Sequence, residues 1–264
     1  MKQKISYLLF LVLICTNILA QDDESPGFIK NKIGIEAGIN VGYLKDRNFS
    51  PLNYNETGAI FSLNYIHVKP AMKSILTADL DFTNGKLKAD PTDFFNAISL
   101  SGNLEVSLLW KVSQSKNNRL LFFLGPQYNS YLQYIDWNER ETWSYLTTHG
   151  IDLKGSVLYK LSDKKTFQSS LSIPIVQLLV RPPYNGFDQY IVQNQEKVLK
   201  ILLRGELASF DKYYGFDWKT LYKYAASNHL DFNLSYMLRF QQVNGFNKMV
   251  HFQNQLTAGF SIKF

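Results

Sequence analysis

The chain closes on Val250-His251-Phe252-Gln253-Asn254-Gln255-Leu256-Thr257-Ala258-Gly259-Phe260-Ser261-Ile262-Lys263-Phe264. Val250, Phe252, Leu256, Ala258, Phe260, Ile262 and Phe264 share one parity. His251, Gln253, Gln255, Thr257, Gly259, Ser261 and Lys263 share the other. Successive side chains of a strand point to opposite faces, so this period of two describes a strand with one apolar and one polar face. The preceding stretch repeats it: Leu230, Phe232, Leu234, Tyr236, Leu238 and Phe240 alternate with Asp231, Asn233, Ser235, Met237, Arg239 and Gln241. Only Met237 breaks the polar face.

Working upstream, the same template fits Ile33 to Tyr43, Ala59 to Tyr65, Leu76 to Thr83, Leu100 to Lys111, Leu120 to Asn129, Ile151 to Lys160, Ser170 to Leu179 and Phe216 to Tyr224. In the stretch from Ser170, the residues Leu171, Ile173, Ile175 and Leu179 are assigned to the apolar face. With the two C-terminal segments this makes ten strands. No run of about eighteen apolar residues follows the N-terminus, which excludes ordinary helical membrane spans. A soluble sandwich would also alternate, but its strands run to about five or six residues, and many here are twice that. Spanning strands need about 9 to 11 residues, and a bilayer tolerates a sheet only when its edges are closed. The fold predicted is all-β: a transmembrane antiparallel up-and-down β-barrel of about 10 strands.

Composition agrees. The 264 residues are 45% hydrophobic, 19% charged and 15% aromatic, with 19 Phe and 16 Tyr, which excludes a disordered chain. Aromatic girdles at both membrane interfaces account for so many rings. At the N-terminus, Lys2 and Lys4 precede the apolar run Tyr7 to Leu13, and Ile18-Leu19-Ala20 forms a cleavage site. Residues 1–20 are therefore read as a cleaved signal peptide, 21–31 as a periplasmic lead and 32–264 as the barrel. Ile14 before Cys15 argues against lipid attachment there. Losing the signal removes the single cysteine, so disulfides and thiolate metal sites are excluded. It also lowers the formal charge from +6 to +4, too weak an excess to predict nucleic-acid binding.

The breaks between strands alternate in length. Short ones fall at Lys69 to Met72, Ser113 to Asn118, Ser162 to Lys165 and Ala226 to Asn228. The others are Lys45 to Asn55, Lys86 to Asn96, Ile135 to Thr142, Arg181 to Lys212 and Val243 to Lys248. Bacterial barrels keep short turns in the periplasm, which places both termini there and the longer loops outside. In Arg181 to Lys212, apolar Val198, Leu199, Ile201, Leu202, Leu203 and Leu207 are interspersed with Glu196, Lys197, Lys200, Arg204 and Glu206 in a helical rather than alternating pattern. It is read as one long extracellular loop with a short helix, the alternative being two further strands and a barrel of 12. Pro182-Pro183 and Asn185-Gly186 at its start are turn chemistry. A turn centred on Ser227 sets Lys223 opposite Asp231 and Arg239 diagonal to Asp217.

The ending Leu256 to Phe264, with its closing aromatic, resembles the terminal strand of Gram-negative outer-membrane barrels, and the signal and aromatic hairpin ends are similar to those of Bacteroidetes. The resemblance implies a cell outer membrane location, contact with outer-membrane lipids and lipopolysaccharide, and recognition of the strand ending at Phe264 by the barrel-assembly machinery. It implies architecture, not activity.

Two barrel enzyme families have chemistry that the residues can be compared with. Outer-membrane phospholipases need Ser two residues after His, but Ile151 occupies that place in Thr148-His149-Gly150-Ile151-Asp152, so the carry-over fails. Omptin proteases are ten-stranded, with acidic residues and an Asp-His pair at the mouth. Here His67 and His149 fall on the lipid parity and His229 abuts a turn, leaving His251, with Asp217 and Arg239 as neighbours, as the candidate catalytic set. Glu36, Asp79, Asp81, Glu105, Asp152 and Asp217 share the lumen with Lys111, Lys154, Lys160, Lys219, Lys223 and Arg239, and mutual neutralisation is expected. No zinc-type, phosphate-binding or calcium-loop motif is present, so no metal and no cofactor are expected. The leading expectation is a barrel whose surface loops bind a ligand or protein partner or serve structurally. The alternatives are a narrow channel for ions or small solutes, and an omptin-like or lipid-acting hydrolase at the mouth.

Overall fold

The computed structural model describes residues 31–48, 50–89, 96–137, 142–182, 189–194, 196–245 and 247–264. The segment read as a signal peptide and most of the lead, residues 183–188 with the Pro183 to Gly186 turn, residue 195, and parts of four other loops lie outside the described residues. The strands are β1 Asn31–Asp46, β2 Tyr54–Val68, β3 Ser74–Ala89, β4 Asn96–Gln114, β5 Leu120–Trp137, β6 Thr142–Lys160, β7 Lys165–Val180, β8 Glu206–Ala208, β9 Tyr213–Ala225, β10 Leu230–Val243 and β11 Met249–Lys263. Two five-residue helices, α1 Gln189–Gln193 and α2 Val198–Leu202, lie between β7 and β8.

Each wall strand pairs antiparallel with the next, β7 with β9 past the short β8, and β1 pairs with β11 from Lys32↔Lys263 to Asp46↔Met249, which closes the ring. Asn31 and Phe264 exchange two backbone hydrogen bonds of 3.0 Å at the seam. Ten strands make the wall. The three-residue β8 is not a spanning strand; it extends the upper edge of β7 through Gln177↔Ala208 and Leu179↔Glu206. The twelve-strand alternative is therefore excluded, and the Arg181 to Lys212 segment is a loop with two short helices.

The wall is inside out relative to a soluble protein. Ile39 and Phe61 are 57% and 58% exposed, whereas inward Asn40 and Gln253 are fully buried. Both termini and the short turns share one end, here the turn end; the longer connections share the loop end. The polarity of the two faces inverts along the strands. On β3, outward Leu76, Ala78, Leu80 and Phe82 give way to outward Asn84, Lys86 and Lys88, while inward Thr77, Asp79, Asp81 and Thr83 give way to Gly85, Leu87 and Ala89. Parity is unchanged; only the chemistry of each face switches. An apolar outer band therefore ends near Phe82, and beyond it the strands continue with a polar exterior and an apolar interior, as in any soluble barrel.

That interior forms a loop-end layer that includes Leu44, Tyr54, Leu87, Tyr131, Leu146 and Met249. A smaller cluster of Ile75, Leu109, Leu121 and Phe123 fills part of the turn end. The charged lumen lies between them.

Three local expectations are corrected. The β9–β10 turn spans Ala226 to His229, closed by amides of Ala226 and Ser227 donating to the Leu230 carbonyl. Its centre sits one residue later than expected, which shifts pairing by two while keeping every face. Asp217 lies directly opposite Arg239, and Lys223 opposite Asn233. On β7, Pro174 faces Asp152 but Val176 faces Ile151, so Ile175 is an extra residue. This bulge turns Leu179 inward, where it is buried, against its assigned apolar outer face. Lys111, expected among the lumen charges, keeps its parity opposite Phe123 but sits just before a register shift at the turn-end rim, where it bonds the Ala71 carbonyl and Gln114.

Candidate functional site

Six inward strands contribute to the centre of the lumen. Arg239 of β10 is buried and forks onto Asp217 of β9, Nε donating to Oδ1 at 2.9 Å and Nη2 to Oδ2 at 2.7 Å. The same Nη2 donates to Oε1 of Glu105 on β4 at 3.1 Å. Lys154 of β6 approaches the other Glu105 oxygen at 3.7 Å. The Arg239 guanidinium also lies 5.1 Å from the ring centre of Tyr131 on β5, within reach of the ring quadrupole. Lys219 of β9 pairs with Asp79 of β3 at 3.2 Å. The expected neutralisation is realised in part: Asp79, Glu105 and Asp217 pair with Lys219, Lys154 and Arg239, whereas Glu36, Asp81 and Asp152 form no ion pair with a lysine or arginine among the described residues.

Two carboxylates are held without a lysine or arginine. Glu36 accepts hydrogen bonds of 2.7 Å from Ser235 and Thr257 and of 3.2 Å from Asn233. Asp152 accepts from Gln127 at 3.2 Å and Gln177 at 2.6 Å, with Asn129 a further donor. At the turn end Lys32 and Lys263 both bind Asp231, at 3.0 and 2.8 Å. At the loop end Arg181, just beyond β7, pairs with Asp46 and donates to the Asn247 carbonyl. Burial draws the Arg181 guanidinium below its ordinary pKa against the opposing pull of Asp46.

The candidate triad is divided. Asp217 and Arg239 are bonded as described, but His251 Nε2 meets Glu56 Oε2 at 2.8 Å, and Gln253 donates to the same oxygen at 3.3 Å. Glu56 was missed because the contact crosses a strand. Gly42 of β1 stands between, paired with Gln253 on one side and Glu56 on the other. A β-carbon at Gly42 would lie 3.3 Å from the Glu56 carboxylate, so the absent side chain leaves the space that the bridge occupies. An inward glycine on the middle strand was the available signal. The His251 and Glu56 side chains are fully buried, sealed from both ends of the barrel.

The other histidines do not join this layer. His149 faces outward and bonds Ser130 at 2.8 Å, on the opposite face from Asp152. His67 contacts Asn31 at 2.9 Å, and His229 sits at the turn beside the Lys263 carbonyl. Two cavities in the lumen among the described residues are about the size of single waters: about 20 Å³ beneath the loop-end layer and about 10 Å³ beside Ser62, Asp81 and Lys219. The broader grooves, of about 600 and 440 Å³, lie on the outer wall around Gly155 and Gly125 and are lined by apolar side chains such as Phe122, Leu124 and Trp218.

No protein-family model and no curated protein matches the sequence. Solved structures do match by shape. The chain is similar to the outer membrane protease OmpT of Escherichia coli at a TM-score of 0.54 and 8% identity, covering 93% of this chain and 99% of that one. It also aligns with an outer membrane channel from Pseudomonas putida (TM-score 0.42, 8% identity, 92% and 100% covered) and with the autotransporter NalP translocator domain from Neisseria meningitidis (0.41, 8%, 100% and 97%). The OmpT likeness shows the ten-stranded barrel fold.

Proposed function

We propose that this protein is an outer-membrane barrel that works at the cell surface through its loops, as a binding or structural protein, and that its lumen is a packed core rather than a passage. The filled lumen carries the reading: an apolar layer at the loop end, paired charges at the centre, and two cavities the size of single waters. A ten-stranded barrel is just wide enough for side chains to fill. The outward apolar band, the closed edge and the OmpT-like shape support outer-membrane location. Short turns then lie in the periplasm and the Arg181 to Lys212 loop outside, with Phe264 on the assembly signal and the apolar wall in contact with outer-membrane lipids and lipopolysaccharide. On that loop Leu199 and Leu207 are 74% and 75% exposed, an apolar surface that suits a ligand or partner.

The hydrolase reading receives no such support, since the only histidine in the upper lumen is sealed and bonded to Glu56. The test is conductance. Purified protein reconstituted into planar bilayers is expected to add no discrete current steps. Reproducible steps that vanish when the protein is heat-denatured before reconstitution would overturn the packed-core reading and establish the channel.

A further inference from the structure

We propose that the cavity beneath the loop-end layer is a binding site for one small, hard, monovalent cation, held by the Asp152 carboxylate and the side-chain oxygens of Asn129, Gln177 and Gln241. These residues come from β6, β5, β7 and β10, and all four line the same space of about 20 Å³. It admits a single particle of water size.

The chemistry of the lining is one-sided. Asp152 is 4% exposed and accepts only from neutral amides, with no lysine or arginine among the described residues in ion-pair reach. A carboxylate can only accept, so the Gln177 amide turns its N–H₂ toward Asp152, and its oxygen lies over Gly150, 2.5 Å from where a β-carbon there would sit and between the cavity-lining Thr148 and Asp152 in sequence. That Gln177 oxygen has no hydrogen-bond partner, nor do those of Asn129 and Gln241, although each residue is at least nine-tenths buried. Three amide oxygens with no donor thus belong to residues that border one cavity beside a carboxylate held only by neutral amides. One water donates two hydrogen bonds and leaves at least one oxygen unsatisfied, whereas a cation is attractive to all of them at once.

The charge count selects the valence. Glu105 and Asp217 have Lys154 and Arg239 as ion-pair partners, and among the described residues Asp152 at the cavity has none. A lone buried charge is strongly disfavoured. One bound monovalent cation neutralises it. Carboxylate and amide oxygens suit alkali and alkaline-earth ions. Among the described residues no group of three His, Cys, Asp or Glu side chains is placed to hold a metal, and the site rests on amide oxygens instead.

The test measures unfolding of the full-length protein in a non-ionic detergent, read as the gel shift between folded and unfolded forms on heating. NaCl, KCl, CaCl₂ and N-methylglucamine chloride are compared at one ionic strength. A ligand that binds only the folded state raises the midpoint with its concentration. The expected result is a saturable rise with Na⁺ or K⁺ over N-methylglucamine in the wild type, absent in Asp152→Asn. Gln241→Leu, which keeps the carboxylate, is expected to raise the half-saturating concentration by about tenfold or more. Crystals soaked in Rb⁺ or Tl⁺ should show an anomalous peak between Asp152 and Gln241. Equal midpoints in all salts, with no peak, would mean a protonated Asp152 beside a water and overturn the proposal. Saturation by Ca²⁺ alone would overturn the monovalent assignment.

Discussion

Replacing Arg239 by methionine removes one of the most heavily bonded cations in the lumen while roughly conserving its volume. Three hydrogen bonds to two carboxylates disappear. Glu105 keeps Lys154, but Asp217 keeps no salt bridge. Removing one partner of a buried pair costs about 3–5 kcal/mol, because the cost is dominated by the charge left behind rather than by the lost attraction. The companion change Asp217→Asn should therefore rescue most of it. Arg239→Met is expected to destabilise by about 3–5 kcal/mol, and the double variant by about 2 kcal/mol less than the single. Urea titrations of protein folded into lipid vesicles, followed by tryptophan fluorescence, measure both. A cost below about 1 kcal/mol for Arg239→Met, or strict additivity with Asp217→Asn, would refute the view that Arg239 holds otherwise unpaired carboxylates.

A β-carbon at Gly259 would lie 2.0 Å from the Ile35 carbonyl across the closing seam, whereas one at Gly102 meets nothing within 4 Å. Gly259→Val should abolish the heat-modifiable gel band and Gly102→Val should leave it, and equal yields would discount the seam clash. Deleting Phe264 removes its two backbone bonds to Asn31 and an outward aromatic, so folded protein in the outer membrane should fall several-fold on quantitative blotting. Unchanged insertion would remove its role in assembly. Single cysteines at Glu196 and Glu206, both exposed, should label in intact cells with a membrane-impermeant reagent; protection of both would reverse the assigned orientation.

Much of the wall was legible because lipid imposes a strict rule on every other residue, and the rule survives without knowledge of partners. The ten segments correspond to the ten wall strands. The upper ends of the strands were not legible in the same way. Lys86 to Asn96 reads as a loop because the apolar residues change face after Phe82, so a reading that asks for apolar side chains outside stops there. The hairpin register moved because Ser227 and Asn228 are equally plausible centres by composition, and only the bonds to the Leu230 carbonyl choose between them. The functional layer was partly legible. Parity put Arg239, Asp217 and His251 inside, but parity carries no information about which side chains meet across a strand. Glu56 reaches His251 through the gap at Gly42, and Asp152 reaches its amides through β5 and β7, contacts that depend on stagger around the ring.

The wall is not equally knit around its circumference. The ladder joining β7 to β9 runs only from Lys165↔Tyr224 to Ser172↔Asp217, while the terminal seam is paired along nearly all of β1. Above Ser172 the chain offers Pro174, which has no amide to donate, and the Ile175 carbonyl is met by the hydroxyl of Ser209 rather than by a strand. Thermal breathing concentrates where the fewest bonds must break together, so this barrel should loosen sideways at mid-chain instead of at its ends. The place where the two termini meet is then one of the fully knit parts of the cylinder, and the long loop is anchored beside the most weakly paired one. A force applied to that loop would fall on the most sparsely paired stretch of the described wall.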